Sequence, residues 1–243
     1  FELTTRNVGG HSSRPRIDNA IYDLADAIKK LQSFRFPVRH SEVTRSYMRQ
    51  NAELYEGDVA AAMLSFADNP ANKKAADVLF AQPSLVGRTR TTCIPTVLSG
   101  GHANNAQPRS AKVVVNCRVF PGVSFAEVEE VLTDLIDNPK LEVKVLDNPE
   151  SSPASELNPV VMAAVTKVVR RRLGDIPIIP TMEPGATDGV FTRAAGIPTF
   201  AVAGYVYDPD DDRAHGKDES NPVESFYGEL DHWYELVKEL SDK

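Results

Sequence analysis

The stretch "SAKVVVNCRVFPG" (Ser110–Gly122), continued by "VSFAEVEEVLTDLID" (123–137) and "LEVKVLD" (141–147), decides the fold. Its first part is β-branched and strand-like, and Pro121-Gly122 stops it. Ser124, with Glu127 three residues on, reads as the capping box of an amphipathic helix. The last part alternates again as a strand. Upstream, "TRTTCIPTVLSGG" (89–101) is a second β-rich run, joined to Ser110 through a Gly- and Asn-containing connection, so the two runs read as an antiparallel pair. At the start of the chain "FELTTRNV" alternates as a strand. "IDNAIYDLADAIKKLQ" (17–32) then places Ile17, Ala20, Ile21, Leu24, Ile28 and Leu31 near helical spacing. Between about 33 and 90 lie short helical pieces broken by Pro37, Gly57 and Pro70, which read as an insertion. With the insertion set aside, the order is strand, helix, strand, strand, helix, strand, a ferredoxin-like βαββαβ unit.

The Pro-, Ser- and Asn-rich run "NPESSPASELNP" (148–159) marks a boundary, giving units 1–151 and 152–243. The second unit alternates differently. "PVVMAAVTKVVRRRLG" is a helix closed by Gly174, "DIPIIPTM" a short strand, "TDGVFTRAAG" a helix start, "IPTFAVAG" a buried-type strand and "PVESFYGELDHWYELVKEL" a final helix. That αβαβα order is part of an α/β sheet, so the fold class is α/β with an α+β first unit. Two strands do not make a covered sheet, and Phe1 is not an initiator Met; both lead us to expect further chain upstream.

The composition, 42% hydrophobic and 25% charged, is that of a globular domain. A net charge of −7 argues against a nucleic-acid surface, and no apolar run is long enough for a membrane span. The two cysteines, Cys93 and Cys117, have no metal-type spacing; buried free thiols are expected, with a disulfide between neighbouring strands as the alternative.

Chemistry-bearing residues gather at the ends of elements. "GGHSSRP" puts His11 in a glycine-hinged turn, where Ser12 or Ser13 either caps the next helix or sits beside a functional histidine. "GGHANNAQPRS" is an amide-rich connection, readable as a solvated hairpin loop. Arg118 either faces water or offers its guanidinium to a carboxylate. In "EPGATDGVF", backbone N–H groups at a helix start suit an anion, and Asp188 suits an N-cap. "RAHGKDES" follows the acidic run "YDPDDDRA" and holds His215, one potential metal ligand; a zinc site needs at least three.

In this order the stretches "GGHSSRP", "NNAQPRSAKVVVNCRVFPG", "EPGATDGVFTRAAGIP" and "RAHGKDESNPVESFYGELDHWYELV" resemble the zinc exopeptidase family that includes carboxypeptidase S, aminoacylase and succinyl-diaminopimelate desuccinylase. The resemblance implies a lid and dimerisation domain followed by the C-terminal part of an α/β catalytic domain, whose remaining ligands and general base lie upstream. It implies a homodimer, two zinc ions in the full-length enzyme, and hydrolysis of an amide beside a free carboxylate in a dipeptide, short peptide or N-acyl amino acid. By the same similarity His11 polarises the scissile carbonyl in the neighbouring subunit's site, and Asn105 lies near substrate. Arg118 takes the substrate carboxylate, Gly185, Thr187 and Asp188 wrap its carboxylate end, His215 is the last zinc ligand, and Glu219 stands behind that ligand. The family's "NALPQ" is here "NAQPRS", and the insertion resembles the carboxypeptidase S-like branch. Taken alone, this chain is expected to bind zinc weakly and to be inactive. The alternative function is a non-catalytic dimerisation or peptide-binding module.

Overall fold

The structure, a computed structural model, describes residues 1–206, 208, 211 and 213–241. In chain order the first elements are β1 (Glu2–Arg6), β2 (Gly10–His11) and α1 (Ala20–Ser33). Four helices follow, α2 (Glu42–Asn51), α3 (Gly57–Asp68), α4 (Lys73–Phe80) and α5 (Pro83–Val86). Then come β3 (Thr92–Gly100), β4 (Ala106–Gln107), β5 (Ser110–Arg118), α6 (Phe125–Ile136) and β6 (Leu141–Lys144), and finally α7 (Pro159–Leu173), α8 (Gly189–Ala194) and α9 (Val223–Ser241). The chain divides into two units. The first is Phe1–Pro153 with Ile179–Val190, and the second is Ala154–Ile178 with Phe191–Lys243. The segment 179–190, placed in the second unit by the boundary at 151/152, therefore groups with the first.

In the first unit β3, β5, β1 and β6 form one antiparallel sheet in that order. This is the βαββαβ arrangement, with the two central strands, β1 and β5, being the first strand of each βαβ half. Along β5, Ala111, Val113 and Val115 are buried while Ser110, Lys112 and Val114 are half-buried, as period-two alternation demands. The buried set and Leu3 pack against Leu24, Ala27 and Leu31 of α1 and Val128, Leu132 and Ile136 of α6. Helix α1 begins three residues later than the apolar spacing predicts. Asn19 accepts from the Ile21 amide at 2.9 Å and caps it, so neither Ser12 nor Ser13 does, and Ile17 is left outside, 99% exposed. Ser124 caps α6 through the Glu127 amide at 3.1 Å, but the Glu127 carboxylate pairs with Arg39 at 2.6 Å. The reciprocal capping box is instead Ser41 with Thr44 at the head of α2.

The insertion α2–α5 has its own core of Met48, Met63, Phe66, Leu79 and Leu85. Its entry and exit segments meet: the Arg39 amide donates to Thr89 O at 2.8 Å, and the buried Arg90 guanidinium donates to Phe36 O and Ala76 O at 3.2 and 3.3 Å.

Strand β3 is a sheet edge with a bulge between Pro95 and Val97, and Ile94, Val97 and Leu98 are more than half exposed. Cys93 stands opposite Cys117 in the β3–β5 register, with Cα atoms 4.1 Å apart, and the two form a disulfide. The expectation of free thiols is thereby corrected. A pairing across 24 residues of sequence depends on strand register, which cysteine spacing does not report.

In the second unit Asn158 caps α7 by accepting from the Val160 and Val161 amides, and Gly174 ends it at φ 84°. Val165, Val168 and Val169 pack against Leu236 of α9. Arg171–Glu235 at 2.9 Å, Lys167–Glu239 at 2.6 Å and an Arg172 bond to Gly228 O tie the same two helices, so the basic end of α7 is a helix–helix seam. The two expected strands, "DIPIIPTM" and "IPTFAVAG", make no ladder: both run outside any sheet. Prolines at 177, 180 and 198 remove donors, and among the described residues no strand pairs with either run.

His232 of α9 is fully buried, and neither ring nitrogen has a hydrogen-bond partner among the described residues. Gly204 accommodates it, since a Cβ there would stand 2.3 Å from the ring. Burial pushes the His232 pKa down, Arg172 adds to this, and Glu229 and Glu235 oppose it. A depressed histidine pKa means that stability is present above the unfolded value of about 6.5 and lost as pH falls through and below it. Thermal denaturation between pH 8 and 5, roughly the histidine range, is expected to show this loss. H232L is expected to flatten it, and an unchanged pH profile in that variant would assign the loss to other groups.

Candidate functional site

The turn carrying His11 is built by a short second sheet. Gly10 pairs with Gln107 and His11 with Ala106, and the Ser12 amide donates to Asn105 O at 2.9 Å. His11 and Asn105 are thus neighbours, although nearly a hundred residues separate them in sequence. Gly9 starts the turn at φ 70°, and a Cβ there would lie 3.0 Å from both Arg109 Cγ and Gln107 O, so conformation and space both require glycine. Asn7 accepts from the Gly9 amide at 3.2 Å and donates to Asp18 O at 2.9 Å, fixing the end of β1 to the approach to α1. Arg16 donates twice to the Asp18 carboxylate, at 2.9 Å each, and holds its pKa down to about 2.

Inside the turn Gln107 is buried and its amide is almost fully used. Its Nε2 donates to His11 O at 3.1 Å and Arg14 O at 2.9 Å, and its Oε1 accepts from the Arg16 amide at 3.2 Å. The imidazole of His11 is exposed, and its Nδ1 lies 2.8 Å from Ser13 Oγ and 3.2 Å from the Ser13 amide.

Arg118 lies at the far end of β5, paired with Thr92 of β3 and exposed. The strand runs from Ser110, beside the His11 turn, to Arg118, and eight strand steps at about 3.4 Å separate its ends by roughly 27 Å. Within one chain His11 and Arg118 are therefore too far apart to hold one small molecule.

Gly185, Thr187 and Asp188 sit on a loop seated against the end of α5. Arg88 pairs with Glu183 at 3.2 Å, donates to Thr181 Oγ1 at 3.0 Å, and stacks its guanidinium over the Tyr47 ring at 4.6 Å. Gly87 lies under Pro184, where a Cβ would meet the proline at 2.7 Å. Glu183 also accepts from the Gly185 amide at 3.4 Å, and Thr187 O accepts from Val190 N at the start of α8. Arg88 and Gly87 were not singled out from sequence, because Arg88 lies in the insertion and its partners follow about 95 residues later.

His215 and Glu219 belong to the second unit. His215 adopts φ 61° and Asp218 φ 56° in a turn closed by the Gly216 amide on Arg213 O at 2.7 Å. A left-handed conformation at a non-glycine residue is uncommon and is enriched at functional positions. Of the adjoining acidic run, Tyr207, Pro209, Asp210 and Asp212 lie outside the described residues. Among the described residues no three His, Cys, Asp or Glu side chains converge as a metal site. The donors among the described residues therefore do not by themselves assemble a zinc site. No helix among the described residues is long and apolar enough to cross a membrane.

The described fold is thus an antiparallel βαββαβ layer with an apolar edge strand and a histidine on a built turn, followed in the chain by a helical unit. The family model described as the M20 peptidase dimerisation domain matches residues 1–144, and the chain belongs to that family. It is 25% identical over 253 residues to a probable carboxypeptidase S-like 2 of Dictyostelium discoideum, covering 98% of this chain and 46% of that protein. It is 26% identical over 235 residues to the N-fatty-acyl-amino acid synthase/hydrolase PM20D1 of Xenopus tropicalis, covering 90% and 43%. Among solved structures, the M20 family metallo-carboxypeptidase Sso-CP2 of Sulfolobus solfataricus superposes with a TM-score of 0.63 at 21% identity, over 98% of this chain and 56% of that one. The di-peptidase Dug1p of Saccharomyces cerevisiae superposes with a TM-score of 0.66 at 14% identity, over 100% and 53%. The chain thus spans about half the length of the relatives it matches.

Proposed function

We propose that this chain is the pairing domain and part of the catalytic domain of a dinuclear zinc exopeptidase or amidohydrolase. Its substrates are dipeptides, short peptides or N-acyl amino acids, cleaved at the amide next to a free carboxylate. The relatives, named carboxypeptidase S-like and N-fatty-acyl-amino acid synthase/hydrolase, support the reaction class. The observation that carries the reading is the placement of His11 and Asn105 at one end of β5 and Arg118 at the other. If all three serve one small substrate, two copies of the chain must contribute, and the apolar edge of β3 is the surface through which they pair.

In the assembled site Arg118 of one protomer takes the substrate carboxylate through its two-pronged guanidinium. Asn105 and His11 of the other orient the acyl group, and the imidazole N–H donates to the carbonyl oxygen as negative charge grows there. Gly185, Thr187 and Asp188 supply the loop around the carboxylate end. His215, with Glu219 behind it, is proposed as one zinc ligand, the others coming from residues outside these 243; by itself the chain is then without hydrolytic activity and holds zinc weakly.

Subunit complementation tests this. In whole protein, H11A and R118A homodimers should each be nearly inactive. A mixed dimer pairs the intact His11 of one chain with the intact Arg118 of the other, so it regains one of two sites, about a quarter of wild-type activity after random exchange. Mixing that restores nothing while dimers do exchange would refute the shared site.

A further inference from the structure

The contacts of His11 with Ser13 determine which ring nitrogen carries the proton. A backbone N–H can only donate, so the Ser13 amide at 3.2 Å requires Nδ1 to present its lone pair. The Ser13 hydroxyl, 2.8 Å from the same nitrogen, must then also turn its hydrogen inward. With Nδ1 an acceptor, the proton of the neutral ring is on Nε2. The geometry lasts only as long as the 11–16 turn does, and that turn is held from below. Gln107 bonds His11 O, Arg14 O and the Arg16 amide at once, and its orientation is unambiguous because two carbonyls need its NH2 and one amide needs its oxygen.

We infer that Ser13 is a positioning residue that fixes His11 as the Nε2–H tautomer, and that Gln107 holds the turn on which both stand. This rests on the role proposed above for His11, whose one N–H donor is thereby aimed as a carbonyl-polarising group. It also gives the glutamine of "NAQPRS" work in shaping the turn from within.

The test is made first on the 243-residue chain with ¹⁵N in its histidine rings, at a pH above about 8, where imidazoles are neutral. His11 is assigned by the signals lost in H11Q. Long-range ring correlations in the wild type should show Nε2 protonated and Nδ1 as an acceptor. S13P, which lacks the amide N–H, should release a second tautomer, whereas S13A, which keeps it, should hold the single one, while the other four histidines, unchanged, report an intact fold. A wild-type ring protonated on Nδ1, or an S13P ring indistinguishable from wild type, overturns the inference. In whole protein S13P should lower kcat about tenfold with KM little changed, and S13A should leave it near wild type. The two readings fail separately. If H11A leaves hydrolysis untouched, the catalytic role of His11 falls while the ring spectra still decide what Ser13 does. If H11A is inactive and S13P leaves the ring unchanged, only the assignment of Ser13 falls.

Discussion

Replacing His11 by alanine in the whole protein is expected to lower kcat by about 10²–10³-fold while changing KM little. That is the usual loss when one donor to a developing oxyanion is removed. The side chain is exposed, and among the described residues its polar contacts are with Ser13, so the substitution removes a donor without opening a core. H11Q is expected to retain more activity than H11A, because an amide N–H still donates, though less well placed. Steady-state kinetics on dipeptides and N-acyl amino acids, with thermal denaturation as a check on folding, measure this. A kcat within about threefold of wild type would remove His11 from the chemistry, since a donor of this kind supplies far more than that.

The second large effect concerns stability. The Cys93–Cys117 bond closes a loop of 24 residues, and the loop-closure model gives such a crosslink about 3 kcal/mol. Its location makes that contribution matter. It joins β3, which has a neighbour on one side only and is interrupted by a bulge, to the central strand β5. C93A/C117A is expected to lower the denaturation midpoint of the first unit by an amount equivalent to about 3 kcal/mol. Adding a dithiol reductant to the wild type should do the same. Equal stability of oxidised and reduced wild-type protein would show that the β3–β5 ladder suffices alone. Because Cys117 immediately precedes Arg118, loosening this pair should also weaken substrate binding in whole protein.

How much could be read beforehand follows the range of the forces involved. Strands β1, β3, β5 and β6 and helices α1 and α6 show in alternation and helical spacing, because a buried face imprints its own period on local sequence. What escaped was decided by distant partners. Asn19 rather than Ser12 or Ser13 caps α1, because the Gln107 amide and the Asn7–Asp18 contact set where the turn ends. Glu127 was legible as half of a capping box but found Arg39, a residue in the insertion. The disulfide needed the β3–β5 register. The runs 175–182 and 197–204 have the composition of strands, but among the described residues no strand pairs with them. Of the site, His11 and Asn105 were nameable by resemblance. Their adjacency was not, since β2 and β4 are two residues each and too short to leave a pattern.

The neck of the helical insertion has a consequence for how such proteins diversify. The Arg39–Thr89 bond and the buried Arg90 clasp the two chain segments where they leave and rejoin the sheet layer, and the helices beyond carry a separate core. Residues can therefore be gained, lost or exchanged beyond the clasp without shifting the register between β1 and β5. Lineages are free to remodel the outer cap as an exchangeable part, while the four-stranded sheet stays as it was.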